Sequence, residues 1–287
     1  MTSKYRFLLV ALIALFSMNA MAQDEVEQTV LDGAYVREHN PTRKVIPYPN
    51  LREADVMWAR RIWQVIDLKQ KINHSLYFPT EEIVGRKCLF DVIKIGVLEE
   101  ESITAYSLGP TQTDDEFRYP MEKIEVDTML KPKVTRFVED PITGDKNPVT
   151  TEEPIKPSDV VAYKIKEDWI FDKQRSERYV RIIGIAPVIN KYSESGELKG
   201  TKELFWLYYP ECRYVFNNYD VFNPHNNATQ MTFDQLFQRR QFMGYIIKED
   251  NVYNRKIDEY AKGIDALLES ERIKEDMFIM EHDLWNY

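Results

Sequence analysis

The stretch that most constrains the fold is residues 159–217, where three long runs of strand-forming residues follow one another. The runs are VVAYKIKEDWIFD, ERYVRIIGIAPVIN and KELFWLYYPECRYVF. Their β-branched and aromatic side chains favour strands. Between the last two runs, SESGELKG contains Gly196 and Gly200, which is typical of a hairpin loop. The centre of the chain is therefore predicted to form a mainly antiparallel sheet.

Helical patterns precede and follow this predicted sheet. In residues 50–73, apolar side chains recur at helical spacing around Trp58, after a capping-box pattern at Asn50 and Glu53. A second helix is predicted in TEEIVGRKCLFDVIKIGVLEE, and helical patterns return from Thr232. This order predicts an α+β fold with N-terminal helices, a central mainly antiparallel sheet and C-terminal helices.

The N-terminus has the pattern of a signal peptide. Lys4 and Arg6 precede the apolar run FLLVALIALF. The length of this run is about half of the roughly 20 residues that a membrane span requires. The sequence AMA then matches a cleavage site, so cleavage is predicted after Ala22. A membrane anchor, the alternative, would need a longer run. We therefore expect an exported protein, located in the periplasm if the cell is bacterial.

Two proline-rich stretches divide the rest of the chain. The first includes EHNPTRKVIPYPN and predicts an extended arm, which either lies on a partner or docks loosely as a terminus. The second, EDPITGDKNPVTTEEPIKPSD, predicts a loop. The predicted organisation is a signal peptide at 1–22, an extended arm at 23–49, an N-terminal helical part at 50–138, a Pro-rich loop at 139–158, and a sheet with C-terminal helices at 159–287.

Composition and motifs exclude several classes of function. A net charge of −9 argues against a nucleic-acid binder, which usually has a basic domain. The chain has only 10 glycines and no nucleotide-binding or nucleophile-elbow motif, so we expect no cofactor and no enzymatic activity. The four His are isolated, which does not favour a metal site. Cys88 and Cys212 could pair in an oxidising compartment, or remain separate thiols.

Surface aromatic and arginine residues are then the candidates for protein binding, because both types are enriched at interface hot spots. On the predicted first helix, Val56 and Trp63 fall opposite the Trp58 stripe. The run DWIFDKQRSERY also mixes aromatic and basic side chains. Packing within the same chain is the alternative for both groups. The predicted partner-binding residues are Arg52, Val56, Arg60, Trp63, Trp169, Phe171 and Arg175. Trp63→Asp is predicted to weaken assembly while leaving the fold intact.

Several long strings resemble one family. LDGAYVREHNPTRKVIPYPNLREADVMWARRIWQVIDLKQKINHSLYFPTE, KEDWIFDKQRSERYVRIIGIAPV, LFWLYYPECRYVF, RRQFMGYIIKEDNVYNRKI and EHDLW are similar to blocks of the gliding motility protein family GldN, called PorN in non-gliding relatives. Together they cover most of the chain after the predicted signal peptide. The signal peptide and the stretch near residues 139–158 are the least family-like parts.

The resemblance implies a structural component of the type IX secretion system of Bacteroidota. A member of this family is expected to form a periplasmic ring from copies of itself and an outer-membrane lipoprotein of the GldK or PorK type. It is also expected to contact the periplasmic region of a motor subunit of the GldM or PorM type. Such a protein would reach the membrane only through partners, on the inner side of the outer membrane, and would use no catalytic residues.

Two other classes of function stay open at this point. One is a periplasmic hydrolase that acts on envelope polymer, which would need a cleft holding carboxylates of raised pKa. The other is a free periplasmic ligand-binding module, which would show a large preformed pocket.

Overall fold

A computed structural model describes residues 43–83, 85–111, 113–139, 146–192, 197–223, 226 and 230–284. The predicted signal peptide and residues 23–42 of the predicted arm lie outside these residues. Ten strands are present in the described residues: β1 (Val56–Asp67), β2 (Ala105–Ser107), β3 (Tyr119–Pro120), β4 (Lys133–Glu139), β5 (Lys146–Glu152), β6 (Val160–Asp172), β7 (Glu177–Tyr192), β8 (Leu198–Glu203), β9 (Trp206–Tyr208) and β10 (Tyr245–Glu249).

The strands form one large sheet and one small one, and every pairing is antiparallel. The large sheet has the order β10-β1-β6-β7-β9-β2-β3, and β8 also pairs with β7. Within it, β6 and β7 run side by side from Asp172 and Glu177 at one end to Val160 and Ile189 at the other. These are the first two central runs of the sequence, and β7 and β8 form the predicted hairpin. The small sheet is the pair β4 and β5.

Helices precede and follow the central strands, which confirms the predicted α+β class. The described α-helices are α1 (His74–Tyr77), α2 (Leu89–Lys94), α3 (Lys123–Leu130), α4 (Tyr209–Phe216), α5 (Phe233–Gln238), α6 (Ile257–Tyr260) and α7 (Ile264–Leu284). A π-helical turn, Ile95–Glu99, continues α2. Short 3₁₀ turns cover Glu53–Asp55, Lys71–Asn73 and Pro157–Asp159.

The helix predicted over residues 50–73 was wrong, because most of this segment is strand β1. β1 lies inside the large sheet, between β6 and β10. All five residues from Ile62 to Ile66 are buried, since both faces of β1 are covered at this end. A strand buried on both faces loses the alternation of apolar and polar residues that identifies strands. Backbone pairing on both edges then overrides the helical spacing around Trp58.

Three other predicted elements differ from the structure in their boundaries. The second helix begins only at Leu89, where the Cys88 thiol accepts a hydrogen bond from the amide of Asp91 at 3.4 Å. In the third central run the strand stops at Tyr208, and PECRYVF is helical, with Pro210 in the first turn of α4. Proline suits a first helical turn, because that turn has unpaired amides in any case. Finally, YIIKE is strand β10 and not helix.

The large sheet has two different faces. Residues Trp58, Arg60, Ile62, Gln64 and Ile66 alternate onto one face of β1, which we call the helix face. Helices α2, α4 and α5 contribute to the hydrophobic core that covers part of this face. Helix α7 covers another part of it, where its Ile273 and Met277 pack against Ile62 and Ile246. The other side, which carries Ala59, Arg61, Trp63 and Val65, is called the second face.

The core beneath α4 and α5 is dense in aromatic rings. Phe216 stacks on Phe237 with ring centroids 6.1 Å apart, and Tyr209 and Phe242 contact Phe237 from other sides. Cys88 and Cys212 are separate thiols in this same core. Burial raises the pKa of Cys88 to about 12 and that of Cys212 well above its usual value, so neither thiol ionises readily.

A buried carboxylate joins the sheet to the segment after α5. Glu167, fully buried on β6, receives two hydrogen bonds from the Arg240 guanidinium at 2.8 and 3.1 Å. Gln64 and the Trp169 indole N–H each donate to it at 3.1 Å. A buried charge is tolerated only when it is paired and hydrogen-bonded in this way.

The described end of the predicted arm, residues 43–49, docks on its own chain. Arg43 forms an ion pair with Asp220 at 2.7 Å. The Tyr48 ring lies under the Arg213 guanidinium, 4.3 Å from its centroid, and the Tyr48 hydroxyl is 3.1 Å from Gln238. Arg181 donates a hydrogen bond to the carbonyl of Pro49. This part of the arm is therefore anchored within the chain through arginine side chains.

We expect Arg240→Ala to lower the free energy of unfolding by about 3 kcal/mol, because it leaves the Glu167 charge buried without a counter-ion. Arg239→Ala is the matched control, since Arg239 is the exposed neighbour, and it should change stability by less than about 0.5 kcal/mol. Chemical denaturation of both variants measures the difference. Equal stability of the two would contradict the role assigned to the Glu167 network.

We also expect Tyr48→Ala to release residues 43–49 and to speed tryptic cleavage after Arg43 and Lys44. The lost stacking on arginine is worth about 1 kcal/mol, which corresponds to an opening equilibrium about fivefold larger. Ile46→Ala, at a side chain that is 78% exposed, should leave the cleavage rate unchanged. Mass spectrometry of timed digests gives the rates, and a rate for Tyr48→Ala no higher than for the unmodified chain would show that the ring does not hold this segment.

Candidate interaction surface

The seven predicted partner-binding residues lie at three separate places in the fold. Trp63 is on the second face of the sheet. Arg60 and Trp169 are paired across β1 and β6 on the helix face. Arg52, Val56, Phe171 and Arg175 lie at the end of the sheet where β1 begins and β6 turns into β7. The predicted set is therefore not one continuous surface.

Trp63 is buried within its own chain, with 6% of its surface exposed. It packs in a cluster with Leu108, Ala186 and Trp206. The ammonium groups of Lys248 and Lys166 lie 4.1 and 5.6 Å from its ring centroid. Burial lowers the pKa of Lys166, an effect that the nearby Asp115 opposes. Trp63 therefore packs within its own chain on the second face, where two lysine ammonium groups lie against its ring.

Arg60 and Trp169 are also occupied within the chain. Arg60 lies 3.6 Å from the carboxylate of Glu249. Two guanidinium groups lie against the Trp169 ring, that of Arg178 at 4.9 Å and that of Arg240 at 5.3 Å from its centroid. Arg178 in turn pairs with Glu281 near the end of α7. This stack of arginine and tryptophan ties α7 and the segment after α5 to the sheet.

Arg52 and Arg175 are the exposed members of the predicted set, and both lie at the β6–β7 end of the sheet. The turn that holds Arg175 is organised by Asp172, whose carboxylate accepts hydrogen bonds from the amides of Gln174 and Arg175 and from the Tyr179 hydroxyl. Burial favours a higher pKa for Asp172, but these hydrogen bonds outweigh it and hold the pKa below its usual value. The ionised carboxylate therefore keeps this turn in place at neutral pH.

A groove of about 460 Å³ crosses the sheet at the other end. Its floor is the small cluster Val65, Ala162 and Val188, one residue from each of β1, β6 and β7. Leu198 of β8 and Leu267 of α7 lie at its two sides. We call this feature the sheet groove. Its apolar floor and open walls make it a candidate binding surface.

Helix α7 carries a second apolar surface, which is exposed in the part of the chain that the structure describes. Ser270, Ile273 and Met277 face the sheet and are buried. Phe278 and Ile279, near the C-terminal end of the helix, are 66% and 48% exposed. We call these two residues the α7 patch. Large exposed apolar side chains that lie together mark interaction sites more often than isolated ones do.

Metal binding and membrane crossing have no support in the described part of the chain. There, no group of three or more His, Cys, Asp or Glu side chains is arranged around a common point. Within the same ranges, no helix combines the length and the apolar character that crossing a bilayer requires. A polar cleft beside Trp63 does hold carboxylates, but Asp115 and Glu116 are paired there with Lys166 and Arg118.

The sequence of α7 contained a signal for the α7 patch. The helical spacing of its apolar residues alone did not distinguish the exposed ones from the core ones. In IDALLESERIKEDMFIMEHDL, apolar residues occur at Ile273 and Met277 but also directly beside them, at Phe278 and Ile279. Adjacent positions on a helix point about 100° apart, so one face cannot bury both sets. The sheet groove had no such signal, because its lining comes from five strands and two helices that are far apart in the sequence.

Comparison with known proteins agrees with the resemblance seen in the sequence. The sequence model of the family described as "Gliding motility associated protein GldN" matches residues 51–286. The match begins before β1 and extends beyond α7, so it includes every strand and helix of the described structure. A search of curated proteins found no match.

The burial of Trp63 reverses the result that the sequence led us to expect for Trp63→Asp. We now expect this variant to lose at least about 3 kcal/mol of folding stability, because a buried aromatic ring is removed and a charge is placed in the core. Met57→Asp is the control on the same strand, at a side chain that is 57% exposed. It should stay within about 0.5 kcal/mol of the unmodified chain in thermal or urea unfolding. A stable Trp63→Asp variant would show that Trp63 is not a core residue.

Proposed function

The chain belongs to the gliding motility associated protein GldN family, and from this premise we propose that it is a structural subunit of the type IX secretion and gliding machinery. The observation that carries the proposal is the family match, which spans residues 51–286. In this role the protein binds other proteins and catalyses no reaction. The proposed assembly is a periplasmic ring of copies of this chain with an outer-membrane lipoprotein of the GldK or PorK type.

The proposed location is the periplasm, against the inner side of the outer membrane. The N-terminal sequence supports export, with Lys4, Arg6, the apolar run and a cleavage site after Ala22. A chain exported in this way would reach the membrane through the lipoprotein. We propose that it also contacts the periplasmic region of a GldM- or PorM-type motor subunit, which would connect the ring to the inner membrane.

The structure offers surfaces for such contacts at both ends of the sheet. One end presents Arg52 and Arg175, which we retain as proposed partner contacts because both are exposed beside an ordered turn. The other end presents the sheet groove and the start of α7. A subunit of a ring needs two different surfaces, since each copy contacts one neighbour on either side. Surfaces at opposite ends of one rigid sheet meet this requirement.

The proposal predicts that the tagged chain, purified from gently solubilised envelopes, co-purifies with an outer-membrane lipoprotein and forms rings in electron micrographs. Mass spectrometry identifies the co-purifying chains. The matched control lacks residues 2–22 and should remain in the cytoplasm without the lipoprotein. Recovery of the exported chain only as a free monomer, with no lipoprotein bound, would overturn the proposal.

A further inference from the structure

The docked end of the arm, residues 43–49, lies against the connection between α4 and α5. Two segments of this connection, residues 219–221 and 230–233, run side by side, and we call them the neck. The Val221 amide donates a hydrogen bond to the Met231 carbonyl at 2.7 Å, and a second backbone hydrogen bond of 3.3 Å joins the segments nearer to α5. A two-stranded ladder this short is marginally stable by itself, so the neck depends on contacts from other elements.

Arg43 of the arm contacts both sides of the neck. Its guanidinium forms hydrogen bonds with Asp220 at 2.7 Å and with Gln230 at 3.1 Å, one residue on each side. Its carbonyl accepts a hydrogen bond from the Asn217 side chain at 2.8 Å. Asn217 in turn accepts a hydrogen bond from the Thr232 hydroxyl at 3.3 Å, and Thr232 is the N-cap of α5. One arm residue therefore joins both segments of the neck and is connected to the start of α5.

Two further contacts connect the arm with α5. The Arg213 guanidinium donates to the Ile46 carbonyl at 2.7 Å, and it donates at 2.8 Å to the carboxylate of Asp234 in the first turn of α5. Gln238, the last residue of α5, donates to the Tyr48 hydroxyl at 3.1 Å. The docked arm is therefore linked to both ends of this helix.

We propose that residues 43–49 are a strap whose docking keeps the neck closed, so that release of the arm loosens the neck and the start of α5. Arg213 and Asn217 are 4% and 5% exposed, and each donates a hydrogen bond to a carbonyl of the arm. Without the arm both donors lose these acceptors, and a buried donor without an acceptor is unfavourable. The inference goes beyond the proposed function, because it holds for any protein that binds the arm.

The strap is held by polar contacts, which another protein could replace. Ile46, Pro47 and Pro49 are exposed, and no residue of the arm belongs to a hydrophobic cluster of the described structure. Hydrogen bonds and partly exposed ion pairs contribute little net stability when the released groups can bond to water. For the two buried donors of α4 and its C-terminal end, access to water requires the neck to loosen. Release of the arm is therefore coupled to opening of the neck.

This coupling must act in both directions. If docking of the arm favours the closed neck, then the closed neck favours docking of the arm by the same factor. A protein that captures the arm would loosen the neck, and a change that loosens the neck would release the arm. The two directions can be tested separately, because Tyr48 holds the arm through Arg213 and Gln238, whereas Thr232 holds the neck through Asn217.

The first test is amide hydrogen exchange of the purified chain, measured by mass spectrometry of peptides that cover the neck. We expect Tyr48→Ala to speed exchange of the Val221 and Phe233 amides about fivefold, the factor expected for release of the arm. Unchanged neck exchange would overturn the inference, most clearly if tryptic cleavage after Lys44 becomes faster, because the arm would then leave without loosening the neck.

Ile46→Ala is the matched control for this test and should leave neck exchange unchanged, because this arm side chain is 78% exposed. Peptides from β6 and β7 provide an internal reference. They should exchange at the same rate in all variants, which distinguishes local loosening of the neck from a general loss of stability.

The second test uses Thr232→Ala, which removes the hydroxyl that joins the N-cap of α5 to Asn217. Loss of an N-cap hydroxyl typically changes a local equilibrium about fivefold, so tryptic cleavage after Lys44 should become about fivefold faster. Thr128→Ala, at an exposed threonine of α3, is the matched control and should leave the cleavage rate unchanged. Equal cleavage rates for the two variants would show that the neck and the arm are not coupled, and the inference would be wrong.

Discussion

The antiparallel pairing of β1 with β6 determines most of what this chain can do. It places a segment from the N-terminal part in the middle of the large sheet, where β10 from the C-terminal part pairs with its other edge. Strands from both sides of residues 139–158 therefore share one set of backbone hydrogen bonds. The same register fixes the two faces, since it sets Ile62 opposite Glu167 and Trp63 opposite Lys166. The packing on each face of the sheet follows from these two residue pairs.

The charged residues near β1 illustrate why arginine and tryptophan were poor guides to the surface. Glu167 is buried on the helix face, and it requires Arg240 as a counter-ion. Arg240 and Arg178 then stack on Trp169, and Arg178 pairs with Glu281. Residues that resemble an interface hot spot in the sequence are here joining elements of one chain, because a buried carboxylate must be neutralised from within.

The parts of the fold that the sequence predicted are those whose pattern has only one physical explanation. The strands β6 and β7 are long, rich in β-branched residues and separated by a short polar turn, so both were identified nearly to their ends. The segment of β1 carries apolar residues on every side between Ile62 and Ile66, and such a run is compatible with a strand covered on both faces or with a helix. The pairing partners that made the choice are distant in the sequence, on β6 and on β10, and a single sequence does not reveal them.

The exposed apolar surface lies on a different element from the one that the sequence predicted. A helix with apolar residues on two faces was sought in residues 50–73, where the structure has a strand. The helix that has this property is α7, whose Ile273 and Met277 are buried while Phe278 and Ile279 are exposed. Its inward face is fixed by Ile62 and Ile246 on the sheet, and this rigid attachment holds the exposed residues in position. An apolar surface held in place before binding loses little conformational freedom on binding, so docking it would be favourable.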